Sequence, residues 1–304
     1  MRRGPLIRNS DKKGLVSARG GNLHKTRSIL VLAILLVASQ ASAATTWKKS
    51  HADALKVAKA ENKLIFVDLF ADWCGWCHRF EADIVPTEVF QKATANMVML
   101  RVDTEDRGEG AQLAKRYGVS RLPTFLILTP EGTIAALIQG YAPAEQFVAR
   151  MNSELSRHEN FQRSLKAGGK QSPQDALALA RELMARHDFA KAESRLQLIW
   201  ADATAPAAVR DEAGLLLGVA QSTGGKSAAA LDTLGKVLGR KPAAETAQNA
   251  RLQRATILLE QQNYQAALAE YKAFKSAYPS SQHQSTVNLR IVQLEAMIAR
   301  RASR

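Results

Sequence analysis

The chain has 304 residues, with 42 Lys and Arg against 28 Asp and Glu, a formal charge of +14. Eight basic residues and one acid fall within residues 1–43, so the other 261 residues share only +7, too dilute a charge to argue for nucleic-acid binding. A composition of 46% hydrophobic and 23% charged residues is that of a globular protein; it excludes disordered, collagen-like and polytopic membrane chains, two cysteines exclude a multi-disulfide scaffold, and the length allows two domains.

In chain order, the first feature is an address. Residues 29–38 (ILVLAILLVA) are an unbroken apolar run, preceded by Lys25 and Arg27 and followed by Ala41-Ser42-Ala43. A basic flank, a short apolar core and a small-residue exit are the three parts of a secretory signal. The run is well short of the roughly 20 residues that span a bilayer. Residues 1–43 therefore read as a signal with an extended basic segment, and the mature chain should begin near Ala44 and work in the periplasm or elsewhere outside the cytoplasm. Membrane association follows only if the signal is retained. The stretch before Lys25 is long for such a signal, and a start at Val16 or Leu23 would shorten it.

Residues 47–62 carry Trp47, Ala54, Leu55 and Ala58 at helical spacing, which predicts a short helix broken at Asn62-Lys63. Residues 64–70 (LIFVDLF) form the kind of apolar, β-prone run that a strand covered on both faces shows. A helix is expected over 74–84, a second buried strand over 98–102 (VMLRV), a polar loop over 103–110 and a short helix over 111–117 ended by Gly118. A third strand follows at 125–128 (FLIL), a turn at Pro130-Glu131-Gly132, a fourth strand at 134–138 closed by Gly140, and a helix over 143–155. Strands alternating with helices, with a hairpin near the end, argue that residues 44–155 form an α/β or α+β sandwich.

Residues 156–174, which include Gly168-Gly169-Lys170-Gln171-Ser172-Pro173, read as a linker. From 175 to 304 the chain is built of Ala, Leu, Gln, Arg and Glu, all strong helix formers, with no β-prone run. Three segments superpose. Ala255, Tyr264, Ala267, Tyr271, Phe274 and Pro279 fall on Gly218, Ser227, Ala230, Leu234, Val237 and Pro242 at a shift of 37, and these fall on Ala180, Phe189, Ala192, Leu196, Ile199 and Thr204 at a shift of 38. Small residues let two helices approach and large ones fill the groove between units. The pattern resembles three divergent tetratricopeptide repeats over about 173–280, with 284–300 as a closing helix. Stacked helix pairs of that kind present a concave surface to a protein partner.

The chemistry lies at Cys74-Gly75-Trp76-Cys77, just after a buried strand and at a helix start. A helix N-terminus carries partial positive charge and free N–H groups, which favour a thiolate at Cys74. Cys77, one turn on, is placed to attack a mixed disulfide formed there. As a staple the pair is weak: closing a four-residue loop is worth roughly 2 kcal/mol on chain entropy, against about 4.7 for a 100-residue loop. Asp68 is an acid within an apolar strand, where burial is costly without a use for it. Two rival chemistries fit the residues less well, haem because a strand directly precedes the motif and zinc for want of ligands. Cys74-Gly75-Trp76-Cys77-His78 is also a CxxCH pattern for covalent haem. Zinc needs about four ligands, of which one CxxC supplies two, and the six histidines show no ligand spacing.

Residues 66–77 (FVDLFADWCGWC) closely resemble the active-site stretch of the thioredoxin superfamily, and the resemblance extends over about 48–152. It implies a thioredoxin-like sandwich whose only redox group is the Cys74–Cys77 pair, with no metal or other cofactor. It implies further that Asp68 is the buried acid serving the second cysteine, that Trp73 is the aromatic residue before the nucleophile, that Leu122-Pro123-Thr124 is a cis-proline loop presenting backbone to a substrate chain, and that Gly140 leaves room for that chain. Gly75 and Trp76 would also face the substrate, and His78 could tune the thiols. The dipeptide departs from the Gly-Pro of thioredoxin itself, and Met99 stands where the family has a lysine near the buried acid. The stretch is most similar to exported domains related to the reductase arm of disulfide-interchange proteins. That resemblance implies an exported thiol–disulfide oxidoreductase acting on protein thiols and disulfides, supplied by an unidentified redox partner, with a protein partner on the helical repeats. The alternative is an exported chaperone or assembly module in which the repeats lead and the redox domain is secondary.

Overall fold

The computed structural model describes residues 46–166 and 171–302. The proposed signal lies outside them. Strand β2 (Leu64–Phe70) is the centre of a five-stranded sheet of order β1-β3-β2-β4-β5, where β1 is Trp47–Lys48, β3 Met97–Asp103, β4 Thr124–Leu128 and β5 Ile134–Gln139. β1 and β2 run parallel to β3; β4 is antiparallel to both β2 and β5. Successive side chains on a strand point to opposite faces, and β2 uses both. Phe66 faces the helices α2 (Gly75–Asp83), α3 (Glu88–Thr94) and α5 (Ala144–Lys166), packing with Phe80, Phe90, Phe125 and Phe147. Ile65, Val67 and Leu69 face α1 (His51–Glu61) and α4 (Glu109–Arg116), packing with Ala54, Ala58 and Leu113. Each buried phenylalanine contributes on the order of 2 kcal/mol of hydrophobic stabilisation, so the five-ring cluster anchors α2, and with it the CxxC, to the sheet.

Three local expectations change. Trp47 is not helical: it pairs with Met99 in a two-residue edge strand, and the helix starts at His51, where the Ser50 hydroxyl caps it by accepting from Asp53 N–H. Helix α3 has no counterpart among the elements expected from sequence. Seven residues are too few to show a period, and what fixes it is the Thr87 cap and the burial of Phe90. Helix α5 continues through 156–166, where a linker is expected, because that stretch lacks any helix breaker. Its first half buries Phe147, Val148 and Met151 against the sheet, while Phe161 and Leu165 in its second half pack on the first helices of the C-terminal region.

That region is entirely helical: α6 (Pro173–Ala185), α7 (Phe189–Ala201), α8 (Ala207–Thr223), α9 (Ser227–Gly239), α10 (Ala244–Glu260), α11 (Tyr264–Ala277) and α12 (Gln284–Ala302). The helix pairs repeat in detail. The turns before α7, α9 and α11 each hold one residue with positive φ, His187, Gly225 and Gln262, spaced 38 and 37 apart. After each, the next N–H (Asp188, Lys226, Asn263) donates to a carbonyl five residues back. Ala192, Ala230 and Ala267 are fully buried where the helices cross.

The helical region meets the sheet through Arg186, at the end of α6. Its carbonyl accepts the N–H of Ile134 on the edge strand β5 (2.8 Å), and its guanidinium donates to Ala135 O at 3.2 Å and to Ile134 O at 3.4 Å. The same guanidinium lies over the Phe161 ring and pairs with Glu182. The free edge of β5 is thus met at Ile134 and Ala135 by the turn between α6 and α7.

Candidate active site

Strand β2 ends at Phe70, and the chain turns through Ala71–Trp73 into α2, with Cys74 as the N-cap. The Cys77 N–H donates to Cys74 Sγ at 3.2 Å. That N–H and the positive end of the helix dipole both favour negative charge on the sulfur, an arrangement that stabilises a thiolate. The two sulfurs are joined, with Cα atoms 5.3 Å apart; Cys74 is 3% exposed and Cys77 wholly buried.

The other residues that the sequence singles out sit as follows. Trp73 and Trp76 are 69% and 57% exposed, so neither is a core aromatic. The Trp73 indole N–H donates to Glu105 (3.1 Å), and Trp76 packs at 5.2 Å on Tyr141, whose hydroxyl donates to Asp83. Leu69 pairs with Thr124, so Pro123 lies level with the end of β2 from which the cysteine loop departs. The Leu122–Pro123 peptide is cis, and Pro123 O accepts the Gly140 N–H at 2.9 Å. Gly140 has φ of +78°, a conformation L side chains rarely adopt, while a Cβ there would meet nothing within 4 Å. Backbone conformation therefore suffices to explain glycine at this position. Gly75 likewise borders open space. The His78 ring sits at the surface with Nε2 2.8 Å from the Asp72 carbonyl.

Asp68 shares the sheet face of Phe66, beneath α2, and is 1% exposed. Burial pushes its carboxyl up to about 7, against the opposing pull of Arg101 and with reinforcement from Glu81. Arg101 is directly opposite Asp68 in the β2–β3 register. Its Nε is 3.3 Å from Asp68 Oδ2, its Nη1 pairs with Glu81, and the guanidinium lies 4.3 Å from the centre of the Phe70 ring. The family resemblance looks for a cation at position 99, but Met99 pairs with Phe66 instead. The signal that could have found the cation is an arginine inside the apolar run VMLRV. Among the described residues, no group of three or more His, Cys, Asp and Glu side chains is arranged to hold a metal ion.

Residues 51–154 match the family model of a thioredoxin-like domain. The chain thus carries a thioredoxin-like domain with a CxxC disulfide, followed by a helix-rich region. Among curated proteins it is similar to thiol:disulfide interchange protein DsbD of Yersinia pestis (strain Pestoides F), 34% identical over 100 residues that make up 32% of this chain and 17% of that one. DsbD of Colwellia psychrerythraea is 34% identical over 105 residues, 33% of this chain and 17% of that one. The match spans less than a fifth of either relative's length. Among solved structures, a DsbH oxidoreductase is 25% identical, with a TM-score of 0.35 over 45% of this chain and 95% of that one.

Proposed function

We propose that this protein is an exported thiol–disulfide oxidoreductase that exchanges disulfides with partner proteins. The observation that carries the reading is the Cys74 sulfur at a helix N-terminus, receiving the Cys77 N–H, with a buried carboxyl that titrates near neutrality on the sheet face below. In the reduced protein, Cys74 thiolate attacks one sulfur of a partner disulfide, and the other partner sulfur leaves as thiolate. Asp68 takes the Cys77 proton. The Cys77 sulfur then attacks Cys74 Sγ and expels the second partner thiolate. Two electrons pass to the partner, and the Cys74–Cys77 disulfide forms. Pro123 and Gly140 offer backbone for an extended partner segment, and Trp73, Gly75, Trp76 and Leu122 flank it.

Export rests on the sequence of residues 1–43. The names of the similar proteins, which describe disulfide interchange, support the chemistry. The helical region is read as three tetratricopeptide-like units that hold a partner or an electron donor, supported by the turns repeating at 38 and 37 residues. A second reading, a binding module with redox chemistry secondary, rests on the same repetition.

The test is a Cys77→Ser variant exposed to envelope extracts. Trapped partners, linked through Cys74 and released by dithiothreitol, are the expected result. A Cys74→Ser, Cys77→Ser protein that keeps full cellular function would move the assignment to the binding module.

A further inference from the structure

A cavity of about 640 Å³ opens where the two halves of the chain meet, a volume in the range of small-molecule sites. The first half lines it with His51 at the start of α1, Arg116 and Tyr117 at the end of α4, and Glu131 before β5; the helical half adds His187 and Phe189, where α7 begins. Helices α1 and α4 cover the sheet face opposite α2, so the sheet separates this cavity from the CxxC. Three features suit a ligand. First, His51 is 7% exposed, and its Nε2 is buried with no hydrogen-bond partner among the described residues. A buried polar atom left unpaired is costly. Burial, and after it the charge of Arg116, lower the proton affinity of the His51 and His187 rings, with Glu109 opposing at His51. Both rings are therefore neutral at neutral pH, and each keeps one N–H to donate. Second, the Glu109 carboxylate is engaged by the Ala52 N–H at 3.2 Å, whereas the side chains of Lys115, Arg116 and Glu131 have no hydrogen bond or ion pair among the described residues. Of these free charges, Arg116 is the one felt at both histidines. Third, the rings of Tyr117, His187 and Phe189 follow one another at 5.3 and 5.2 Å, and the Tyr117 hydroxyl already donates to Gly132 O. What this wall offers a ligand is aromatic surface.

We propose that this cavity is a binding site for an aromatic carboxylate: the Arg116 guanidinium and the His51 ring take the carboxylate, and the wall of Tyr117, His187 and Phe189 takes the aromatic ring. A guanidinium is the side chain best matched to a carboxylate, and a buried neutral imidazole adds a donor without a second charge to desolvate. Two sources present this chemistry, a free small molecule and the last residue of a protein chain. The site uses no atom of the cysteines, so the inference is independent of the thiol–disulfide reading.

The experiment titrates the full chain, oxidised, with three probes while NMR follows the imidazole signals of His51 and His187. The probes are phenylacetate, its neutral counterpart phenylacetamide, and an N-acetylated tripeptide of two alanines and a C-terminal phenylalanine. Phenylacetate is expected to shift both histidines along one saturable curve, because the two rings line the same cavity from different halves of the chain. Phenylacetamide should bind at least about tenfold more weakly. Arg116 is exposed, so Arg116→Gln leaves the packing intact; it should weaken phenylacetate by about tenfold or more and leave phenylacetamide unchanged. His51→Gln should also weaken phenylacetate, and the Arg116 variant decides the matter if that buried substitution unfolds the chain. A tripeptide that binds more than about tenfold tighter than phenylacetate would support the site and name a chain end as its ligand; one that binds no tighter would support it and name a free molecule. The Cys74→Ser, Cys77→Ser protein should bind phenylacetate as wild type does. Equal affinity for acid and amide, shifts that never saturate, a response at His187 without one at His51, or an Arg116→Gln protein that binds like wild type would each overturn the proposal.

Discussion

Replacing Asp68 with Asn should make the oxidised protein more stable, and the gain should depend on pH. The carboxyl ordinarily loses its proton near 3.8; in the fold it does so at about 7, chiefly because the site is buried. Between these values the folded protein keeps a proton that the unfolded chain has released. Stability therefore falls as pH rises through that window, and above it the penalty is complete. The interval is about three pH units, which at about 1.4 kcal/mol per unit comes to roughly 4 kcal/mol. Asparagine does not ionise, so the variant escapes this loss. Removing the carboxylate leaves Arg101 paired with Glu81, not stranded. Urea unfolding of wild type and variant, both oxidised, gives the measurement. The variant's stability relative to wild type should rise by roughly 4 kcal/mol between about pH 4 and about pH 8.5. Parallel curves, with a difference that does not change with pH, would refute the reasoning and mean that Asp68 is ionised in the fold throughout that range.

Two further substitutions probe the frame that holds the site. Arg186→Ala removes a charged donor from Ile134 O and Ala135 O and the cover from Phe161, and should cost about 2–3 kcal/mol. Amide exchange at Ile134 should accelerate while the Cys74–Cys77 potential stays unchanged; unaltered exchange would show that the edge is held by the backbone bond alone. Gly218→Ala places a Cβ 2.6 Å from the Leu234 side chain and should destabilise by about 1–3 kcal/mol, whereas Gly239→Ala, with nothing within 4 Å, should not. Thermal unfolding separates the two, and equal midpoints would mean that α8 and α9 have slack to repack.

Much of the candidate site is visible in the sequence because its signals are local. LIFVDLF is the kind of run that a strand buried on both faces shows, and the CxxC after it falls on the next helix start. Leu122-Pro123 before FLIL marks the loop beside it. The repeat positions 180, 218 and 255, with their partners, could be aligned because the same packing problem recurs every 37 or 38 residues. Other features have no local signal. Trp47 joins the sheet only because Met99 is there to pair with. Seven residues of α3 are too short to show periodicity. The continuation of α5 past 155 is worthwhile only because Phe161 and Leu165 find a second core.

What the sequence determined by itself is the chemistry: two cysteines one helical turn apart, an acid six residues upstream, and the run of elements that presents them. What only the tertiary structure decided is which charges act on that acid and what fastens the two halves. Arg101 meets Asp68 through strand register. Arg186 meets Ile134 and Ala135 across some 50 residues of chain. Neither pairing is encoded in spacing, because contacts between distant segments are set by how whole elements pack.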